Sequence, residues 1–313
     1  MKLKILVAGG AGFIGSHLCE KLIKLGHEVT VVDNLVTGQR KNLDGLKLNF
    51  IEANINLSES FAHKSLLGPF DQIYNLASPA SPIDFPKMPI FILETATHGH
   101  KNLLELARRT EARILFASSS EVYGDAEIHP QIESYFGNVN SFGPRSCYDE
   151  AKRVGEALSL SYKKEFGVNI RIARIFNTYG PRMRPSDGRI IPNFFSQALN
   201  GKAMSVFGTG KQTRSFCYVS DLVEGLVLLM QSKVETPINL GNPIELSVLE
   251  IAEKIRTLTA SSSSFEFLPL GENDPKQRRP DISKARELLK YSPSVDLETG
   301  LKNSLHYFSA ETN

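Results

Sequence analysis

The sequence predicts an α/β protein: a doubly wound parallel sheet joined to a smaller α/β unit. Short β-rich runs alternate with helical patterns through the first half of the chain, an order that covers both faces of a parallel sheet with helices. The texture changes after Asn177, where "TYGPRMRPSDGR" is rich in Gly, Pro and Arg and the later elements are shorter. The composition is that of a globular chain, with 313 residues, 41% hydrophobic and 22% charged, enough to bury one large core or two linked ones.

The elements follow in order. "LKILVAG" (3–9) reads as a buried strand. "SHLCEKLIKLG" (16–26) reads as a helix, with Leu18, Leu22 and Leu25 on one face and Gly26 as its stop. "HEVTVVDN" (27–34), "DQIYNLAS" (71–78) and "ARILFASSS" (112–120) are further strands, with a helix at 99–110 between the last two. A long helix near 148–166 precedes the strand "NIRIARIFN" (169–177). Beyond it, "DLVEGLVLLM" and "PINLG" are expected to return to the first sheet, and "ASSSS" (260–264) reads as a connector.

Formal net charge is +2, which gives no bulk attraction to nucleic acid or membrane. No apolar run reaches the roughly 20 residues that span a bilayer. The chain opens on a strand, so no signal peptide is expected. Cys19, Cys147 and Cys217 are odd in number and widely spaced, which indicates neither a disulfide framework nor a zinc site. Reduced thiols in a cytoplasmic protein are expected, with no metal.

"VAGGAGFIGSHL" sets Gly9, Gly12 and Gly15 between a strand and a helix. Glycines let the backbone approach a pyrophosphate, and the helix N-terminus offers N–H groups and partial positive charge. Asp33 ends the second strand, 18 residues after Gly15. A carboxylate there accepts from a ribose 2′-OH and repels a 2′-phosphate, so NAD is favoured over NADP, although Arg40 and Lys41 stand near enough to soften that preference. Residues 1–177 are thus expected to form a Rossmann-type NAD-binding domain, with 213–242 returning to it. Residues 178–212 and 243–313 are left for a substrate domain.

"CYDEAKRVGEAL" places Tyr148 and Lys152 four apart, on one helix face. A neighbouring ammonium favours phenolate, and such a tyrosine can take a proton from a sugar hydroxyl as hydride leaves the same carbon. The three serines at the end of "RILFASSS" sit where a strand delivers residues to a site.

Together these motifs resemble the extended short-chain dehydrogenase/reductase family of nucleotide-sugar enzymes, over almost the whole chain. That resemblance makes Ser119, Tyr148 and Lys152 the catalytic triad. Its members include epimerases, 4,6-dehydratases and decarboxylases, all of which begin by oxidising C4 of the sugar. A dehydratase carries an Asp-Glu pair after the triad serine or threonine. This chain has Ser120-Glu121, which lacks the acid for a leaving hydroxyl yet keeps a carboxylate. "VVDNLVTGQRKN", "LASPASP", "SSSEVYGD", "CYDEAKR", "ARIFNTYGPRM", "DGRIIPNF", "QTRSFCYVSDLV", "NLGNP" and "RRPDI" are similar to the UDP-glucuronate decarboxylase (UDP-xylose synthase) family.

The resemblance implies decarboxylation of UDP-glucuronate to UDP-xylose, with Tyr148 as C4 acid/base and Lys152 tuning it. Glu121 would position the sugar or a water, or move a proton. Gly9, Gly12, Phe13, Ile14 and Gly15 would line the cofactor diphosphate. Asp33, Asn34, Thr37, Gly38, Asn54 and Ile55 would line its adenosine half, and Leu76, Ala77 and Ser78 its path to Tyr148 and Lys152. Pro79, Ala80, Ser81 and Ser120 would face the sugar. Asn177, Arg189, Arg214, Tyr218 and Arg278 would contact the UDP moiety. A homodimer through helices near 99–110 and 148–166 is expected.

The chain departs from the family pattern at Asn54, which replaces an aspartate near the adenine. It departs again at Glu94, Ala96 and His100, which replace Lys, Asn and Thr; Glu94 reverses a charge expected near the substrate. His98 and His100 read as exposed residues at a helix start. Rival readings are a 4-epimerase, a 4,6-dehydratase, or a non-catalytic NAD-binding scaffold of the same fold.

Overall fold

The computed structural model describes residues 1–269 and 277–312. Its strands are β1 (Lys4–Ala8), β2 (Glu28–Asp33), β3 (Asn49–Glu52), β4 (Gln72–Asn75), β5 (Arg113–Ser119), β6 (Ile170–Ile175), β7 (Thr178–Tyr179), β8 (Met204–Phe207), β9 (Thr213–Ser215), β10 (Cys217–Tyr218), β11 (Ile238–Leu240), β12 (Glu245–Ser247) and β13 (Phe265–Leu268). Its α-helices are α1 (Phe13–Lys24), α2 (Pro89–Glu94), α3 (His100–Thr110), α4 (Ser146–Phe166), α5 (Ile190–Leu199), α6 (Val219–Gln231), α7 (Val248–Leu258), α8 (Ser283–Leu289) and α9 (Leu297–Thr312).

Seven strands form one parallel sheet in the order β3-β2-β1-β4-β5-β6-β11. The order reverses between β1 and β4, and ligands of open α/β sheets bind in the crevice outside the carboxyl ends at that point. Alternation decides which way each strand residue faces. Ile5 and Val7 of β1 join one core with Leu18, Leu22, Leu222 and Leu226 of α1 and α6. Leu6 and Ala8 join the opposite core with Leu103 and Leu106 of α3 and Tyr162 of α4. A third core gathers Phe194 and Phe195 of α5, Val206 of β8, Ile251 and Ile255 of α7, and Phe308 of α9. No helix among the described residues is long and apolar enough to cross a membrane.

In the sheet-bearing first half, β3 and the stretch before α3 have no counterpart among the elements expected from the sequence. β3 is a four-residue edge strand in which Ile51 alone is buried, so it carries almost no periodic signal. Before α3, the chain forms α2, with Pro89 in its first turn, and a π-helical turn at Thr95–Gly99. His100 corrects a further expectation. It is fully buried, ringed by Asn75, Ser159 and Phe116, while His98 is exposed.

Candidate active site

The loop after β1 enters α1 without a side-chain cap at Gly12, leaving first-turn N–H groups with no carbonyl partner in the helix. A Cβ on Gly15 would stand 2.2 Å from the Gly9 carbonyl oxygen, so only glycine lets the helix start this close to the strand. At the end of β2, the Asp33 carboxylate accepts from the Ala11 and Leu35 N–H groups, each at 2.9 Å. These residues fit a dinucleotide: bare amides for a diphosphate, and a carboxylate with lone pairs left for ribose hydroxyls. Burial raises the Asp33 pKa against the pull of those two N–H groups.

Arg40 and Lys41 do not turn toward Asp33. The Arg40 guanidinium lies 4.1 Å over the Phe50 ring, and Lys41 pairs with Glu311 of α9 at 2.7 Å.

A cavity of about 470 Å³ opens along the carboxyl ends of the sheet. Gly9, Gly12, Phe13, Ile14, Gly15, Thr37, Leu76 and Ser78 line one end, and Ser119, Ser120, Glu121, Tyr148 and Lys152 line the middle. Ala80, Ser81, Asn177, Arg189, Arg214 and Arg278 line the other end. A side recess of about 70 Å³ shares Gly9, Gly12 and Thr37 and adds Asp33, Asn34, Gly38, Asn54, Ile55, Ala77 and Pro79.

Tyr148 stacks on Phe85, centroids 4.9 Å apart, and bonds Ser119. Burial first, and then the Glu121 charge, push its phenol up to about 12, with the Ser119 hydrogen bond acting against them. The Lys152 ammonium donates to the Ala117 carbonyl at 3.0 Å and stands 5.3 Å from the Tyr148 ring centroid. Burial lowers its pKa to about 7. The simple expectation of a lysine that lowers the neighbouring phenol is thus outweighed here, because burial disfavours both charged forms. A Cβ on Gly155, one turn below Lys152, would stand 2.1 Å from Cζ of Phe116 on β5.

Glu121 follows β5 in a single 3-10 turn that Ser119 caps. Its carboxylate is gripped by Arg278, at 2.6 and 2.8 Å, and by Arg145 at 2.9 Å. Burial would raise its pKa, but the two guanidiniums outweigh burial and hold it below the ordinary value. Glu121 is therefore ionised and fixed in place. Arg145, at the foot of α4, was not singled out from the sequence; a lone loop arginine carries no signal until the fold brings it to Glu121.

The loop at 181–189 is tied to the loop at 79–85. Ser81 Oγ donates to the Asp187 carbonyl, and Arg184 pairs with Asp84 at 2.6 Å. Arg189 lies against the Asp187 carboxylate, with Nη2 at 2.9 Å from Oδ2. Arg214 and Arg278 face each other across a short parallel bridge.

Two sequence-derived positions fall away from both cavities. Tyr218 lines neither; its ring packs edge-on against Tyr179, 5.5 Å between centroids. Glu94, on α2, also lines neither, so its reversed charge does not face the site.

The model of the NAD dependent epimerase/dehydratase family matches residues 5–241. The chain is 53% identical over 309 residues to UDP-glucuronic acid decarboxylase 1 of Danio rerio, covering 98% of this chain and 73% of that one. Among solved structures, it is similar to a UDP-glucose 4-epimerase of Thermotoga maritima in complex with UDP-glucose, with a TM-score of 0.92 at 30% identity over 98% of both chains. It is also similar to a UDP-glucuronic acid 4-epimerase of Bacillus cereus in complex with UDP-glucuronic acid and NAD, with a TM-score of 0.86 at 31% identity over 98% of this chain and 99% of that one. With a nucleotide cradle, a Tyr-Lys pair and a serine-ended strand on one cavity, the chain belongs to the NAD dependent epimerase/dehydratase family and, within it, to the UDP-glucuronic acid decarboxylases.

Proposed function

We propose that this enzyme converts UDP-glucuronate to UDP-xylose and CO2. Gly9, Gly12, Gly15 and Asp33 would hold NAD, which would supply the hydride acceptor for C4 and the hydride donor for its restoration. Tyr148 takes the C4 hydroxyl proton, assisted by Ser119, and gives it back when the hydroxyl is restored. Lys152 lies behind Tyr148 and lowers the cost of phenolate whenever it carries its proton. With C4 oxidised, the sugar is a β-keto acid. Its C5–carboxylate bond breaks, the electron pair spreads into the C4 carbonyl, CO2 leaves, and C5 takes a proton.

The observation that carries this reading is the state of Glu121. Dehydration needs an acid free to protonate a leaving hydroxyl. Position 120 is serine, and Glu121 is ionised between two arginines. Neither of these two residues can protonate a leaving hydroxyl, and the same guanidiniums suit a substrate carboxylate or diphosphate. In this reading Glu121 positions the sugar and the arginines, and proton transfer falls to other groups.

The division of labour follows. Residues 1–177, with 213–242, hold the cofactor; 178–212 and 243–313 hold the UDP-sugar through Arg189 and Arg278, helped by Asn177 and Arg214 at the edge of the first unit. We read the enzyme as a cytoplasmic homodimer formed through α3 and α4. Its three cysteines are unpaired and buried, as suits a reducing compartment, and Leu160 of α4 is 45% exposed.

The test is one incubation with UDP-glucuronate and one with UDP-glucose, each with and without added NAD, read by product mass. The expected product of the first has lost CO2, with no net NADH. An unchanged mass with altered C4 stereochemistry would replace this reading with an epimerase.

A further inference from the structure

Asp149 is the residue after Tyr148 on α4, and no step above uses it. It is 6% exposed, and its Oδ1 is buried with no hydrogen-bond partner. A buried, unpartnered carboxylate oxygen is costly and calls for an explanation. The groups that act on it are Glu121 from the turn after β5, Arg278 from the 278–280 segment, and Arg145 and Glu150 from its own helix. Tyr148 and Cys147 sense its charge in turn. The segment packed on this part of α4 is mostly apolar, with Phe85, Ile92 and Ala96 against Cys147, Tyr148 and Ala151; its ionisable members are the exposed Lys87, Glu94 on α2 and the exposed His98.

Two carboxyls and two guanidiniums therefore share one buried cluster. Glu121 takes the direct ion pairs with both arginines, which leaves Asp149 as the second acid, without direct compensation at Oδ1. Burial and the Glu121 charge raise its pKa to about 7, with Arg145 and Arg278 pulling the other way. A third carboxylate brought to the same arginines adds like charge beside it and drives it further toward the neutral form.

We propose that Asp149 is the proton store of this site: it takes up a proton from solvent as the substrate carboxylate enters and returns it to solvent as that carboxylate leaves as CO2. The inference rests on the decarboxylation reading above. The overall reaction consumes one proton. The C5–C6 bond breaks, its electron pair stays at C5, CO2 departs, and a new C5–H bond forms with a proton that solvent supplies. Asp149 lines neither cavity, so it acts through the cluster's charge balance and is a positioning residue in the electrostatic sense, not a group in contact with C5. It keeps the cluster's charge constant while a carboxylate arrives and disappears.

The test is calorimetric titration of NAD-loaded Tyr148→Phe protein, which holds substrate without oxidising it, in buffers of different ionisation enthalpy. UDP-glucuronate is compared with UDP-xylose, which lacks the carboxylate. At pH 7 the expected uptake is about half a proton per site with UDP-glucuronate, rising toward one at pH 8, and near zero with UDP-xylose. Adding Asp149→Asn should abolish the uptake. In the otherwise wild-type enzyme, Asp149→Asn should flatten the alkaline limb of the kcat profile. Should that variant not fold, infrared difference spectra of the Tyr148→Phe protein still decide, since binding should add a protonated-carboxyl C=O band. Equal uptake with both ligands, uptake that survives Asp149→Asn, or no new carboxyl band would overturn the proposal. Absence of CO2 from UDP-glucuronate with the wild-type enzyme would instead overturn the functional reading beneath it.

Discussion

Arg278 meets Glu121 end to end, Nη1 to Oε1 at 2.6 Å and Nη2 to Oε2 at 2.8 Å. The fork joins the turn after β5 to a segment 157 residues away, so one ion pair closes the substrate end of the cavity onto the catalytic strand. Glu121→Gln keeps the shape but takes away the counter-charge that the buried Arg278 guanidinium meets. Breaking such a pair costs about 3–5 kcal/mol, so the variant should melt earlier. Its CO2 release should slow by about 10²-fold or more, with NAD affinity unchanged, since Glu121 lies outside the cofactor end. Wild-type turnover in that variant would refute the positioning role.

Lys152 should trade stability for function. Burial lowers its pKa from 10.5 to about 7. The unfolded chain binds that proton up to pH 10.5 and the folded chain releases it near 7, so the penalty is full below about pH 7 and fades toward pH 10.5. Lys152→Met is expected to raise the melting temperature of the NAD-free protein at pH 7, with a smaller gain at pH 10, and to abolish turnover. Equal gains at both pH values would mean the effect is packing alone.

His100 should shape the acid limit of the fold. Its Nδ1 accepts from the Asn75 amide at 3.0 Å, which puts the proton on Nε2, facing Ser159 Oγ at 2.8 Å; Ser159 then donates to the Gly155 carbonyl at 2.9 Å. Burial, with Lys152 adding to it, lowers the imidazole pKa from 6.5 to about 3. The sign is that of a basic group with a depressed folded pKa: stability is full above pH 6.5 and falls as pH drops toward 3, by at most about 1.4 kcal/mol per pH unit. His100→Thr, the residue of the family pattern, should flatten this acid slope in urea titrations at pH 4–7. An unaltered slope would show that other groups set the acid limit.

Cofactor choice should depend on Asp33 with little help from its basic neighbours. NADP is expected to bind at least about 10²-fold more weakly than NAD, because its 2′-phosphate meets a carboxylate. Asp33→Ser should narrow the gap without reversing it, since Arg40 is laid over Phe50 and Lys41 is held by Glu311. Fluorescence titration of both dinucleotides checks this; an NADP-preferring Asp33→Ser enzyme would mean one of those cations swings in.

The parallel sheet was legible because buried strands are continuous apolar runs and α1, α3 and α4 carry clear helical patterns. The glycine cradle, Asp33, Tyr148 and Lys152 were legible because local geometry dictates them: a turn, a strand end and a one-turn helical spacing. What stayed hidden depends on pairs distant in sequence. Arg145 matters only once α4 lies beside the turn holding Glu121. His100 reads as a surface residue until Asn75, Phe116 and Ser159 close around it. Tyr218 sits in a motif shared with the family and Glu94 at a departure from it, yet neither lines a cavity.

Gly155 extends the reach of the active site. Phe116 occupies the space where any other side chain would begin, so even alanine would have to displace the Phe116 ring or lift α4 from β5. Tyr148 and Lys152 ride on that helix while Ser119 stays with the strand, and a shift of a few tenths of an ångström would part them. A single methyl placed there, touching neither sugar nor dinucleotide, would read in a mutational screen as a catalytic lesion in a folded protein.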